Sequence, residues 1–139
     1  MKIAIRYYTQ TGNTKKLAEA IAEVVDAEVK DVACSLEENT EILFLCNSVY
    51  WAGVDKHVKK FLKENASKIG CLVNISTAAL VPSSYRQMKK IAAQSSIKLA
   101  EEEFHCRGQF KTLHSGHPDE LDLSEVKEFA RKMVHTYEA

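Results

Sequence analysis

The sequence lacks the features that would assign it to a membrane, repeat or metal-binding class. No apolar run in its 139 residues approaches the length of a transmembrane helix. It has no internal repeat and no low-complexity segment, and its 4 cysteines and 5 histidines form neither a CxxC pair nor an HExxH spacing. We therefore expect one globular domain over residues 1–139, with no metal site and no contact with a membrane.

An excess of one charge is also missing. Lys plus Arg and Asp plus Glu number 19 each, so the formal net charge is zero. Proteins that bind nucleic acid or anionic membranes through their charge are basic, so neither partner is predicted. A local cluster of lysines at helical spacing is interpreted as a solvated helix face: Lys56, Lys59, Lys60 and Lys63.

Cysteine usage favours a reducing compartment. Three of the four cysteines fall in or beside strand-like segments, as small buried thiols do, although disulfides remain the alternative: Cys34, Cys46, Cys71 and Cys106. Met1 and Lys2 lead directly into a strand-like segment, without the apolar region of a signal peptide. A cytoplasmic location is therefore predicted.

The most informative segment that is present is Thr9-Gln10-Thr11-Gly12-Asn13-Thr14. It joins a strand-like run to a helix whose apolar residues recur at helical spacing. A helix N-terminus offers unpaired N–H groups and a positive dipole end, so a phosphate group is the expected ligand. The alternative is an ordinary N-cap, but three hydroxyls around one Gly exceed what a cap requires.

The same segment argues against other phosphate-binding and same-topology classes. It has neither the Gly-Lys-Ser/Thr end of a nucleoside triphosphate loop nor the three glycines of a dinucleotide loop. A response-regulator receiver would need an acidic pair after the first strand and an Asp after the third. Thr9-Gln10 and Asn47-Ser48 stand there instead.

Alternating strand-like and helical segments predict a doubly wound α/β fold with five parallel strands. About eight residues separate the second and third strands, so the helix around Ser35–Glu38 is predicted to be a single turn. Asp122 and Glu125 have the spacing of a capping box for the last helix. Predicted strands are Lys2–Tyr8, Glu28–Val32, Ile42–Cys46, Cys71–Ile75 and Leu99–Arg107, and predicted helices are Asn13–Val25, Asp55–Asn65, Ser83–Gln94 and a final one from Leu123.

At these motifs the chain resembles the flavodoxin family. The Thr9–Thr14 segment matches every defining position of that family's phosphate loop, [Ser/Thr]-x-[Ser/Thr]-Gly-x-Thr. Asn47–Gly53 is similar to the family's Gly-Thr-Pro-Val-Trp-Ala-Gly loop, with Asn47 and Val49 in place of Gly and Pro. Cys106-Arg107-Gly108 and His117–Glu120 resemble the last strand and final helix entry of short bacterial members.

The resemblance implies a three-layer fold with strand order 2-1-3-4-5 and noncovalent FMN at the switch point between strands one and three, for which flavodoxin is itself a standard example. The phosphate is expected on Thr9, Gln10, Thr11, Gly12, Asn13 and Thr14. Trp51 is expected to stack on the flavin ring, with Tyr50 as a weaker candidate and with Ser48, Ala52, Gly53, Ser76 and Thr77 near the polar edge of the ring. Ala78 and Ala79 replace two glycines of the family's third loop, which predicts a more open ring edge.

The function implied is low-potential, one-electron transfer between partner proteins, by a monomer or weak homodimer. No catalytic residue is required, because the flavin carries the chemistry. The alternative is a small FMN-dependent oxidoreductase acting on a quinone or another small acceptor, which the neutral charge and the open third loop favour slightly. A third possibility is a flavin-free interaction module.

Overall fold

The computed structural model describes residues 1–10, 12–50, 53–78, 83–108 and 116–138, with residues 49 and 50 described by their backbone alone. The strands are β1 Ile3–Tyr7, β2 Val29–Asp31, β3 Ile42–Tyr50, β4 Gly53–Val54, β5 Leu72–Ala78 and β6 Phe104–Arg107. The helices are α1 Asn13–Ala22, α2 Lys56–Asn65, α3 Tyr85–Gln94 and α4 Glu120–Glu138, and a 3₁₀ turn follows α2 at Ala66–Lys68. None of these described helices is both long and apolar enough to cross a bilayer.

The sheet has the predicted topology. Five strands pair in parallel in the order β2-β1-β3-β5-β6, which is the order 2-1-3-4-5 once the short β4 is set aside. Strand β4 was not predicted and pairs antiparallel with the end of β3. The doubly wound, five-stranded parallel fold is thereby confirmed.

Helices cover both faces of the sheet and create two separate cores. Apolar residues of α1 and α4 pack on one face, where Ile5, Phe44 and Ile75 are fully buried. Apolar residues of α2 and α3 pack on the other, around Leu43 and Leu45. The central strands are apolar on both faces because both faces are covered. The result is the predicted three-layer arrangement.

The third strand is four residues longer than predicted. Asn47 and Ser48 were placed in a loop because Asn47–Gly53 resembles a loop of the flavodoxin family, but both are buried in β3, where they pair with Ser76 and Thr77 of β5. The final pairs of β3 join Val49 to Val54 and Tyr50 to Gly53 in a hairpin with β4. Pairing with β5 thus extends β3 through these two polar residues.

The predicted helical turn between β2 and β3 is absent, and side chains satisfy this connection instead. The Arg6 guanidinium donates to the carbonyls of Cys34 (2.9 Å) and Ser35 (3.2 Å). Asn65 Oδ1 accepts from the Leu36 N–H at 2.9 Å, and Lys68 Nζ donates to the Leu36 carbonyl at 2.8 Å. Four backbone groups are thus paired without a helix, as burial requires.

The last helix begins three residues earlier than predicted, and its capping box is a different pair. Asp119 Oδ1 accepts from the Asp122 N–H, and Asp122 Oδ2 accepts from the Asp119 N–H, both at 2.9 Å. This reciprocal pairing is the capping-box geometry, so Asp119 is the cap and Asp122 its partner. The predicted pair of Asp122 and Glu125 was wrong.

Candidate functional site

The carboxyl ends of all five parallel strands lie at one edge of the sheet, and α1 begins there. The residues predicted to bind a cofactor follow β1 or lie at or just beyond the carboxyl-terminal ends of β3 and β5. Since α1 follows β1 directly, its N-terminus faces the space beyond the strand ends. The topology therefore brings three separate sequence segments to one place.

The segment between β1 and α1 forms a helix start without a side-chain cap. Gly12 occupies the N-cap position with φ of 91°, and no side chain of the described residues caps the helix there. The first intrahelical hydrogen bond runs from the Lys16 N–H to the Gly12 carbonyl at 3.3 Å, so three backbone N–H groups precede it. A side chain at position 12 would project into open space, with no described atom within 4 Å of a Cβ. This open, positively polarised start fits a phosphate group.

Two hydrogen bonds join described residues before and after position 11. Thr9 Oγ1 accepts from the Gly12 N–H at 2.8 Å, which closes the turn. Thr14 Oγ1 donates to the Tyr8 carbonyl at 2.7 Å, and the Thr14 side chain is fully buried. The Thr14 hydroxyl therefore ties α1 to the end of β1, while Gln10 is exposed.

Gly108, which the site prediction did not include, brings the end of β6 against this segment. A Cβ at position 108 would lie 2.9 Å from Asn13 Nδ2 and 3.0 Å from Thr77 Cβ. Only a residue without a side chain allows these three positions to approach so closely. A glycine immediately after a predicted edge strand was the available sequence signal.

The predicted residues on β3 and β5 separate onto opposite faces of the sheet. Ser48 and Thr77 are register partners on the face that α1 covers, and both are buried. Ser76 points to the other face, where its Oγ accepts from the N–H of Ser84 at 3.4 Å, at the start of α3. The structure thus brings Thr77, but not the Ser76 hydroxyl, to Asn13 and Gly108.

Gly53 begins the short strand β4 in a conformation that favours glycine. Its φ is 89°, and a Cβ there would lie 2.7 Å from Gln87 Oε1. Gln87 Oε1 accepts from the Val54 N–H at 2.8 Å, so α3 holds the hairpin that carries positions 51 and 52. No sequence pattern pointed to Gln87.

Asn47 stands where the family has glycine, and its amide is used within the sheet. Its Nδ2 donates to Asn74 Oδ1 at 2.8 Å and to the Ile75 carbonyl at 3.1 Å. Asn74 in turn donates to Ser84 Oγ at 3.0 Å, which continues the network to the start of α3. Asn47 Oδ1 is buried without a hydrogen-bond partner among the described residues.

Two of the described thiols near the strand ends, Cys46 and Cys106, are partly or fully buried. Burial raises the pKa of the Cys46 thiol, and burial together with the carboxylate of Asp122 raises the pKa of Cys106 to about 12. Both thiols are therefore protonated at neutral pH. Burial opposes the charge of Asp55, but hydrogen bonds from the backbone and ring of His57 outweigh it and lower the pKa of Asp55. The His57 ring stacks on Tyr8 with 4.9 Å between centroids.

Several predicted site residues lie outside the described residues. These are Thr11, Trp51 and Ala52, together with the side chain of Tyr50. Ala79, one of the departures from the family pattern, lies outside as well. Their roles stay predictions.

Comparisons with known proteins agree with this architecture. A sequence model described as a flavodoxin domain matches residues 4–137. An uncharacterized protein from Methanocaldococcus jannaschii is 24% identical over 136 residues, which cover 88% of this chain and 90% of that protein. A flavodoxin from the domain Archaea has a similar structure, with a TM-score of 0.77, 17% identity and coverage of 100% of both chains. A flavoprotein from Lactobacillus acidophilus, solved in complex with FMN, has a TM-score of 0.60 at 15% identity and covers 76% of this chain and 92% of its own.

Proposed function

The chain belongs to the flavodoxin family, and we propose that it binds FMN noncovalently at the carboxyl edge of its sheet and passes single electrons between partner proteins. The uncapped start of α1 carries this proposal. Gly12 leaves open space in front of the first three N–H groups of the helix, as a phosphate monoester requires.

Described residues at the phosphate end of the proposed site are held by hydrogen bonds and packing. The Gly12 N–H donates to Thr9 Oγ1, Thr14 Oγ1 donates to the Tyr8 carbonyl, and Asn13 and Thr77 are buried against Gly108. A preformed cradle loses less conformational entropy on binding. We assign the phosphate to the backbone N–H groups at the start of α1, with the hydroxyls of Thr9 and Thr11 beside it.

The ring end of the proposed site is the hairpin between β3 and β4. Gln87 holds its base through the Val54 N–H, and Gly53 supplies a backbone conformation that other residues adopt at a cost. We assign Trp51 to the ring face and the backbone of Ala52 and Gly53 to the polar edge. Ser48 and Thr77 contribute buried hydroxyls on the face of the sheet that α1 covers.

FMN supplies the redox chemistry when it is bound, because its ring accepts and releases electrons one at a time. The chain contributes binding, orientation and electrostatic environment. The protonated thiols of Cys46 and Cys106 fit this division, since neither offers a nucleophile to a substrate. The electron-transfer proposal therefore needs no catalytic side chain.

A fluorescence titration of FMN with the purified apoprotein tests the proposal. We expect quenching at a 1:1 ratio, followed by a semiquinone band on stepwise reduction. Thr9→Val removes the hydroxyl at the cradle and should weaken binding roughly tenfold or more, as the loss of a hydrogen bond to a charged group does. Thr40→Val, the same change at a buried position at the opposite edge, is the matched control.

The outcomes separate the candidate functions. Absence of quenching at micromolar protein concentrations would contradict FMN binding. The flavin-free interaction module would then be the remaining candidate function. Quenching together with rapid turnover of a soluble quinone would support the oxidoreductase function and contradict the electron-carrier function. Equal losses in Thr9→Val and Thr40→Val would show that the assigned cradle does not hold the phosphate.

A further inference from the structure

Zero net charge conceals an excess of positive charge on one of the two helical layers. Helices α2 and α3 together carry seven Lys and Arg residues and one acidic residue, Glu64, a net charge of six positive. The rest of the chain therefore carries six negative charges in excess. Helices α1 and α4 on the opposite face carry five Lys and Arg residues and six acidic residues, so most of this negative excess lies outside the helices. The lysines that the sequence assigned to a solvated face thus belong to a larger basic surface.

A groove of about 700 Å³ runs between α2 and α3 on this surface. Its rim carries Lys59, Lys63 and Lys90, all exposed. Its floor is apolar and is formed by Val54, Ala66 and Ile91, which are buried or half-buried. Among the residues described along this lysine groove, none is acidic.

The rim lysines have no acidic partner within the described residues. Glu64 pairs with Lys60 at 3.9 Å, not with the rim. Glu101, Glu102 and Glu103 lie across α3 from the groove, where burial and their charges raise the pKa of Tyr85. Positive charge along the groove is therefore uncompensated, which attracts an anionic surface.

The end of the groove lined by Val54 and Gln87 lies next to the proposed flavin site. Val54 contributes to the floor of the groove and also closes the hairpin that carries positions 51 and 52. Gln87 lines the groove and holds the Val54 N–H. A molecule seated in the groove would therefore contact the base of the hairpin.

We propose that the lysine groove docks the acidic face of a partner electron-transfer protein. Small-molecule sites fix their ligand with buried, convergent polar groups, whereas every charge here is exposed at the rim. An apolar floor within a charged, solvated rim is the anatomy of a protein interface. The inference names the partner class for the proposed function and rests on it, but docking is measured in the absence of FMN as well as in its presence.

The test uses the full chain and three labelled probes: an acidic plant-type ferredoxin, basic cytochrome c, and a short DNA duplex. Fluorescence anisotropy gives each affinity at low and high ionic strength, with and without FMN. The groove variant is Lys59→Glu/Lys63→Glu/Lys90→Glu. The control, Lys16→Glu/Arg131→Glu/Lys132→Glu, makes the same change in net charge on exposed residues of α1 and α4.

We expect ferredoxin to bind at low ionic strength, to bind more weakly as salt is added, and to lose about tenfold or more in affinity with the groove variant alone. Cytochrome c should not bind the groove. Absence of ferredoxin binding, or equal losses in both triple variants, would overturn the proposal. DNA binding as tight as that of ferredoxin, with the same loss, would show that the groove selects negative charge alone and would overturn the assignment to a protein. Failure to bind FMN would contradict the proposed function and leave these results intact.

Discussion

Gln87 Oε1 accepts a hydrogen bond from the Val54 N–H at 2.8 Å, and this contact joins the first turn of α3 to the base of the β3–β4 hairpin. The two residues are 33 positions apart in the sequence. The same oxygen would lie 2.7 Å from a Cβ on Gly53, so the contact depends on glycine at that position. One side chain thus fixes both the position of the hairpin and the residue that begins β4.

Replacing Gln87 by Met should loosen the hairpin. Met has a similar length but a weak acceptor, so the partly buried Val54 N–H loses its partner, at a cost of about 1 kcal/mol in the free energy of unfolding. We also expect weaker FMN binding, because the hairpin is less ordered before binding. Urea unfolding and FMN titration measure the two effects.

Gln94→Met is the control on the same helix, and Gln87→Glu, which keeps the acceptor, should retain more affinity for FMN than Gln87→Met. Equal effects at positions 87 and 94 would contradict this role.

Adding one methyl group at Gly108 should weaken FMN binding. The Cβ of Gly108→Ala would lie 2.9 Å from Asn13 Nδ2 and would push α1 away from Thr77. Gly70→Ala creates similar crowding at the opposite edge of the sheet, 3.0 Å from the Glu41 carbonyl oxygen. Both variants should be less stable than the parent protein, but only Gly108→Ala should lose FMN affinity. Unchanged affinity in Gly108→Ala would remove Gly108 from the site.

Arg6 should be essential for the stability of the connection between β2 and β3. Arg6→Met leaves the carbonyls of Cys34 and Ser35 without their charged donor, which should cost about 2–3 kcal/mol in unfolding free energy. Arg6→Lys should recover little of this, because a single ammonium lacks the forked donor geometry. Urea denaturation gives the values, and Arg86→Met, an exposed site on α3, should be nearly neutral. A neutral Arg6→Met would mean that other contacts hold this connection.

The pKa of His117 should depend on Asp122. The hydrogen bond from His117 Nδ1 to Asp122 at 2.8 Å, together with the charge of Asp122, raises the pKa of His117 above its ordinary value. The protonated pair therefore stabilises the fold below about pH 6.5, the value for an unfolded His, and this contribution is lost as the pH rises through the folded pKa. Asp122→Asn should lower the pKa of His117 while still capping α4. An NMR titration of the His117 ring measures the shift, and Asp26→Asn should cause none.

The fold was predictable because burial of one face of each helix places apolar residues at regular spacing in the sequence. The apolar residues that recur at helical spacing in α2 are buried against the sheet: Val58, Phe61 and Leu62. Two predictions were wrong for different reasons: the loop at Asn47 and Ser48 came from the family resemblance, and the helical turn at Ser35–Glu38 came from the length of the connection. Asn47 is buried because β5 pairs with it, and no helix forms at Ser35 because Arg6, distant in sequence, binds the carbonyls there.

The candidate site was only partly accessible to the same reasoning. The Thr9–Thr14 segment combines a strand end, a helix start and a glycine, so local chemistry pointed to it. Gly108 and Gln87 act through residues far away in the sequence, and no local pattern marks such contacts. Ser76 and Thr77 are adjacent in the sequence, but the period of two in a strand sends their side chains to opposite faces.

The positive charge of α2 and α3 is balanced by negative charge spread over the rest of the chain, so the molecule has a dipole although its net charge is zero. In the field of an acidic molecule, a dipole experiences a torque before it experiences net attraction, so the α2–α3 layer turns toward the approaching surface. Salt limits this effect to separations of about 8 Å at physiological ionic strength, so the alignment acts in the last step before contact. A chain with an isoelectric point near 7.0 would thus orient its α2–α3 face toward an acidic partner. Because its net charge is zero, it would not attract other charged molecules nonspecifically.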